Sequence, residues 1–151
     1  MRRLILILAV LPSLALANLG EGFSAITAQY GAPPTSEPVP DSNPPTVQHI
    51  WLTNGGGDVY EVMTQADTSI LESLQSRSGM PLTAAIRFLN RNLGAGETWA
   101  KVEQQTQGVK YETATSIAYC VSTPDLKQIA KVVVVLKKPA AALQVKQNPR
   151  Q

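Results

Sequence analysis

The spacing of apolar residues changes period along the chain, and each change predicts a change of element. Phe23, Ile26 and Tyr30 recur at i, i+3 and i+7, which gives a short helix over 21–31 one apolar face. Gly31 is placed to close that helix, and Pro33 blocks its continuation. Val47 to Thr53 and Val59 to Thr64 are rich in β-branched and aromatic residues and predict two strands. Between them lies Asn54-Gly-Gly-Gly-Asp58. A phosphate-cradling glycine loop must open a helix whose amides face the anion. These glycines instead lead into the strand pattern Val59-Tyr-Glu-Val62, and no Lys-Ser or Lys-Thr follows, so the stretch predicts a hairpin.

After Asp67 the pattern turns helical. Ser69-Ile-Leu-Glu72 has the form of a capping box, and Ile70, Leu71 and Leu74 supply an apolar side for a short helix that Gly79 would stop. Residues 81–94 carry the clearest helix signal. Pro81 suits a first turn, and Leu82, Ile86, Leu89 and Leu93 draw a stripe, with Arg87 and Arg91 one turn apart on the other side. Paired arginines at that spacing suit a phosphate or carboxylate, or simply a solvated face. Strands are then predicted over 99–105, 109–115 and 117–122, with Gln107-Gly108 as a turn. Thr123-Pro124 opens another short predicted helix. Lys131-Val-Val-Val-Val-Leu-Lys137 is the strongest strand, and its unbroken apolar run predicts a central position covered on both faces. The expected fold is therefore α+β: an antiparallel sheet of about five or six strands, with a helical pair over 69–93 packed on one face.

The ends of the chain add a location. Arg2 and Arg3, the apolar run Leu4–Leu11 and Ala15-Leu-Ala17 match a secretory leader over 1–17, which leaves Asn18 as the new N-terminus. No later stretch approaches about 20 apolar residues, so no membrane span is expected once the leader is removed. The expected organisation is the leader over 1–17, a helix over 18–31, a spacer rich in proline over 32–46, a domain over 47–138 and a tail over 139–151. The expected location is the periplasm or the exterior.

Removing the leader lowers Lys plus Arg from 13 to 11, against 11 acids, so the mature chain is neutral. The charge is divided: seven acids and no base lie in 18–76, and six bases and no acid lie in 126–151. A basic end can meet an anionic envelope component, or serve as a solvated face. Neutrality without an aromatic and basic platform points away from nucleic acid.

Candidate chemistry is sparse. One histidine and one cysteine do not complete a four-ligand His/Cys metal site, and no C-x-x-C, H-E-x-x-H, G-x-S-x-G or EF-hand spacing occurs. No cofactor is expected. Cys120, within a strand pattern, reads as a buried structural residue. Carboxylate pairs such as Asp58 with Glu61, or Glu97 with Glu103, keep open a small hydrolase or transferase. A protein inhibitor or assembly factor is a further alternative. The favoured reading is a non-enzymatic domain that binds a protein or an anionic envelope component. Its contacts are expected at a sheet edge or at exposed Trp51, Tyr60 and Trp99, with Lys137, Lys138 and Lys146 adding charge.

Gln29-Tyr-Gly-Ala-Pro33, the strand with Trp51, and Leu89-Asn90 followed by Gly94 and Trp99 resemble small exported bacterial proteins. The opening helix ending in Tyr-Gly-x-Pro is also similar to the SmpA/OmlA (BamE) group, which implies two helices against an antiparallel sheet. This sequence lacks that group's lipobox cysteine and orders its helices differently, so no functional residue carries over.

Overall fold

The computed structural model describes residues 19–138. Its elements follow the chain as α1 (Phe23–Tyr30), β1 (Thr35–Pro38), β2 (Thr46–Thr53), β3 (Asp58–Gln65), β4 (Thr68–Met80), α2 (Leu82–Arg91), β5 (Ala100–Gln105), β6 (Gly108–Glu112), β7 (Ser116–Ser122) and β8 (Ile129–Leu136). All eight strands form one antiparallel sheet in the order β1-β2-β3-β4-β8-β7-β6-β5. That order is symmetric about its centre. Each half is one helix followed by a four-strand meander, and the last strands of the two meanders, β4 and β8, pair to join them.

The register sorts side chains onto two faces, because directly paired residues point the same way. On one face His49, Val62, Glu72, Val134 and Ala118 form one cross-strand row, and Trp51, Tyr60, Leu74, Val132 and Cys120 form the next. Both helices cover this face. Ile26 of α1 and Ala85, Phe88 and Leu89 of α2 are buried against it, and Val62, Val132, Val134 and Ala118 are fully enclosed. Each such valine contributes about 1.5–3 kcal/mol by leaving water.

This arrangement overturns the α+β expectation: the protein is mostly β, with eight strands rather than five or six, and no helical pair spans 69–93. The segment read as the first helix of that pair is β4. Ser69 and Glu72 do meet, with Ser69 Oγ donating to Glu72 Oε1 at 3.3 Å, but they meet across a bulge rather than a helical turn. Thr64 pairs with Ser69 and Met63 with Leu71, so Ile70 is the extra residue that turns 69 and 72 to the same side. The Thr123–Gln128 segment is likewise a loop, closed by Thr123 and Gln128, which exchange backbone and side-chain bonds. The proline spacer supplies the short edge strand β1, whose exposure suits its prolines.

The hairpin forms as expected. Asn54 to Gly57 turns β2 into β3 through Gly55 at φ +67° and Gly56 at φ +87°, values glycine adopts without strain. Helix α2 also forms as expected, but on a rotated face. Leu82 and Ile86 are exposed, and Ala85, Phe88, Leu89 and Asn92 are buried. The leader over 1–17 and the tail over 139–151 lie outside the described residues.

Gly79, next to the last residue of β4, has φ +84°, and a Cβ there would stand 2.8 Å from Gln128 Cβ. Gly79→Ala should lower stability in urea by roughly 2 kcal/mol or more, and Gly55→Ala, with open space around it, by about 1 kcal/mol. Equal losses would show that the 123–128 loop does not press on β4.

Candidate functional site

The most constrained chemistry lies under the helices. Glu72, from the centre of β4, is fully buried. It accepts from Tyr60 Oη at 2.9 Å, Ser69 Oγ at 3.3 Å and Arg91 Nη2 at 3.2 Å. Arg91 arrives from the last turn of α2, and its Nη1 donates to Tyr30 Oη at the end of α1. The guanidinium also lies over the rings of Phe88 at 4.7 Å, Tyr60 at 5.3 Å and Tyr30 at 5.7 Å. Burial pushes the Glu72 carboxyl above the ordinary carboxylate range, against the opposing pull of Arg91 and the hydroxyl donors. Burial first, and Glu72 second, push the Tyr60 phenol upward. The second of the paired arginines therefore holds a carboxylate of its own chain, while Arg87 stays exposed.

Beside this cluster runs an aromatic row. Phe23 stacks on His49 at 3.9 Å, and Trp51 lies between His49, Tyr30 and Tyr60, with its Nε1 donating to Gly31 O at 3.0 Å. The His49 ring bridges Ser36 Oγ at 2.8 Å and Thr64 Oγ1 at 3.0 Å. Burial lowers the His49 pKa, with Asp67 opposing, and the neutral ring matches a bridge that needs one donor and one acceptor. Ser36 and His49 are cross-strand partners at the sheet edge, and the other ring nitrogen of His49 meets the Thr64 hydroxyl rather than a carboxylate. Cys120 is buried and its thiol is pushed up to about 11, far from a reactive thiolate.

A cleft of about 570 Å³ opens between the glycine hairpin, the end of β4 and α2, with Tyr30, Tyr60, Phe88 and Arg91 along its inner side. Asp58, at its rim, is bonded by Asn54. The acids paired in the sequence reading take separate positions. Asp58 pairs with Ser76 and Glu61 with Ser73, which places the two acids on opposite faces. Both oxygens of Glu97 are taken by Gly94 N and by Thr115.

The opposite face of the sheet is different. Three cross-strand rows cross it: Gln48, Met63, Leu71, Val135, Ile117 and Glu112; then Ile50, Glu61, Ser73, Val133, Tyr119 and Lys110; then Leu52, Val59, Gln75, Lys131 and Val121. No described helix lies over them. Leu52 is 63% exposed, Tyr119 44% and Val121 40%, while Ile50, Val59, Met63, Leu71, Ile117, Val133 and Val135 are half-buried by one another. Apolar side chains thus recur across this face, interrupted by Glu61, Ser73, Gln75 and Lys131.

Of the residues proposed from sequence, Trp51 and Tyr60 are cross-strand partners with ring centroids 5.5 Å apart, but several of the set are not available. Trp51 and Tyr60 are only 4% and 2% exposed, because the helix-covered face packs them under α1 and α2. Trp99 is half-buried against the core, with Nε1 donating to Leu89 O at 3.0 Å. Lys137 is paired with Glu112 at 2.9 Å and donates to Thr113 O. Lys138 is exposed, and Lys146 lies outside the described residues. Sequence reasoning missed Leu52, Tyr119, Val121, Val133 and Lys131. A period of two across 116–122 and 131–136 separates the two faces there; the unbroken apolar run masked it.

No protein-family model matches the sequence, and no curated protein does. The fold is shared with solved structures, among them two bacterial proteins. One is a cysteine-rich secretory protein from Staphylococcus aureus, with a TM-score of 0.53, 13% identity, and a match over 79% of this chain and 44% of that one. The other is an extracellular protein containing an SCP domain from Bacillus anthracis, with a TM-score of 0.53, 9% identity, and a match over 100% of this chain and 53% of that one. The chain spans about half the length of each.

Two outcomes follow from the buried groups. Arg91→Met leaves Glu72 without its cation and should cost roughly 3–5 kcal/mol in urea, and the double variant Glu72→Met with Arg91→Met should recover much of that loss; simple additivity would deny the pair. Because His49 has a lowered pKa in the folded chain, the unfolded chain binds its proton first. Stability from this group is therefore full above about pH 6.5 and declines as pH falls below that value. His49→Gln should flatten the decline in urea midpoint between about pH 7.5 and 5.5.

Proposed function

We propose that this chain is a non-enzymatic binding domain of the periplasm or cell exterior, and that a protein partner docks on the uncovered face of its sheet. One observation carries the reading. The run Val132 to Val135 occupies the centre of the sheet, yet only its alternate members, Val132 and Val134, are enclosed. Val133 and Val135, together with Leu71, Ile117 and Tyr119, present a two-sided strand's apolar surface with a described cover on one side only. Leaving that surface in water forgoes roughly 25 cal/mol per Å², which a docked partner would recover.

Export is supported by the leader pattern at the N-terminus, and by the fold shared with proteins described as secretory and extracellular. A binding rather than catalytic role is supported by the way the titratable groups are occupied. Glu72 and Arg91 satisfy each other, Glu97 closes a loop, and Asp58 and Glu61 face opposite ways. A protein partner suits this face better than an anionic surface, because Glu61 and Glu112 stand within its rows.

The face is tested by adding charge where exposure keeps the fold intact. A stoichiometric partner recovered with the mature chain from the extracytoplasmic fraction should bind the Leu52→Glu, Tyr119→Glu variant at least about tenfold more weakly. Leu82→Glu with Ile86→Glu, on the outer side of α2, should bind as the unaltered chain does. Equal loss in both variants, or in neither, would remove the sheet face from the function.

A further inference from the structure

The open face ends in a notch of about 440 Å³, set between the glycine turn and the adjoining ends of β3, β4 and β8. Gly56 and Gly57 form one side, with no side chains to fill it. Val59, Gln75, Arg77 and Lys131 line the rest. The register explains why they converge. Val59 pairs with Gln75 and Gln75 with Lys131, so all three share a face. Arg77 stands two residues beyond Gln75, and its backbone N donates to Gly57 O at 3.0 Å, which carries the alternation past the end of β3.

The cations nearest the far end of this face already have partners. Lys110 and Lys137 both pair with Glu112, and Glu61 accepts from Gln48 at 2.6 Å and Ser73 at 3.0 Å. At the notch two cations stand on adjacent strands, no acid lines it, and neither Arg77 nor Lys131 has an ion pair among the described residues. The nearest acid in the register, Asp58, is on the other face and bonded to Asn54. Like charges held together cost stability unless a counter-charge arrives, and a guanidinium fork beside an ammonium fits a carboxylate.

We infer that the notch receives an aspartate or glutamate side chain from the protein segment that covers the open face. This rests on the docking surface proposed above. The carboxylate seats between Arg77 and Lys131 against the glycine turn. Side chains two residues to either side in an extended segment reach the apolar members of the same row, Leu52 and Val59 on one flank and Val121 on the other, with Val133 in the next row. The notch supplies polarity and register, and the apolar rows supply area. An anionic lipid headgroup offers the same charge, but a bilayer would also press on Glu37, Glu61 and Glu103, which share this side of the sheet.

The test is selection of short random peptides on the displayed mature chain, repeated on Arg77→Gln, Lys131→Gln and on Leu52→Glu, Tyr119→Glu. Peptides selected on the unaltered chain should alternate apolar residues around one acid. An individual peptide should bind the Arg77→Gln, Lys131→Gln variant about tenfold more weakly, with its Asp→Asn form already weakened on the unaltered chain and little affected by the variant. Apolar peptides without an acid, still dependent on Leu52 and Tyr119, would overturn the notch and leave the docking face standing. Peptides indifferent to Leu52→Glu, Tyr119→Glu would overturn the face itself. Binding to phosphatidylglycerol vesicles, but not phosphatidylcholine vesicles, that disappears in Arg77→Gln, Lys131→Gln would assign the notch to lipid and overturn the protein carboxylate.

Discussion

The fold turns on one buried ion pair. Glu72 sits where the two meanders meet, and bringing a carboxylate there is costly unless its oxygens are filled. Arg91 fills part of that need, and in doing so fixes the end of α2 over the sheet. Through Tyr30 the same guanidinium reaches the end of α1, and through the rings of Tyr60 and Phe88 it is shielded from water. Two helices that do not follow each other in sequence are thus tied to one carboxylate. The pair lends positional specificity more than net stability, since an apolar substitute of similar volume would avoid the desolvation cost.

With both described helices committed to the Glu72 side, no described helix lies over the other side of the sheet. The two faces differ by the alternation of each strand: Val132 and Val134 are enclosed, and Val133 and Val135 are not. A purely structural sheet would carry polar residues on its uncovered side. Here apolar side chains recur in every row, Glu61 and Ser73 bond each other within the middle one, and the ion pairs sit toward the rows' ends. The solved structures that share the fold are about twice as long, so this unit's worth of sheet occurs within larger chains.

The glycine turn has consequences on both faces. Its conformational freedom reverses the chain between β2 and β3, and its missing side chains leave space toward the large cleft on one side and the notch on the other. The acids concentrated in 18–76 and the bases beyond do not simply face each other as two blocks. Arg91 crosses to Glu72, but Glu112 answers Lys110 and Lys137 within the second meander, and Arg77 and Lys131 line one notch. Net neutrality conceals that local imbalance, because register rather than composition decides which charges become neighbours.

Short-range chemistry in the sequence determined the turn at 54–57, helix α2, and the strand character of 47–53, 59–64, 116–122 and 131–136. Each depends on a few neighbouring residues: glycines that permit left-handed backbone, a proline that opens a helix, β-branched residues that suit a pleated surface. Only the tertiary structure decided that 68–80 is a strand. Ser69 and Glu72 make the contact a capping box would make, but a bulge at Ile70 and ladders to β3 and β8 outweigh the local helical pattern. Only the tertiary structure, too, turned Trp51 and Tyr60 inward, rotated α2 onto Phe88 and Arg91, and set Arg77 beside Lys131. Those outcomes depend on which strands lie next to one another, and strand order is a long-range choice that no window of sequence contains.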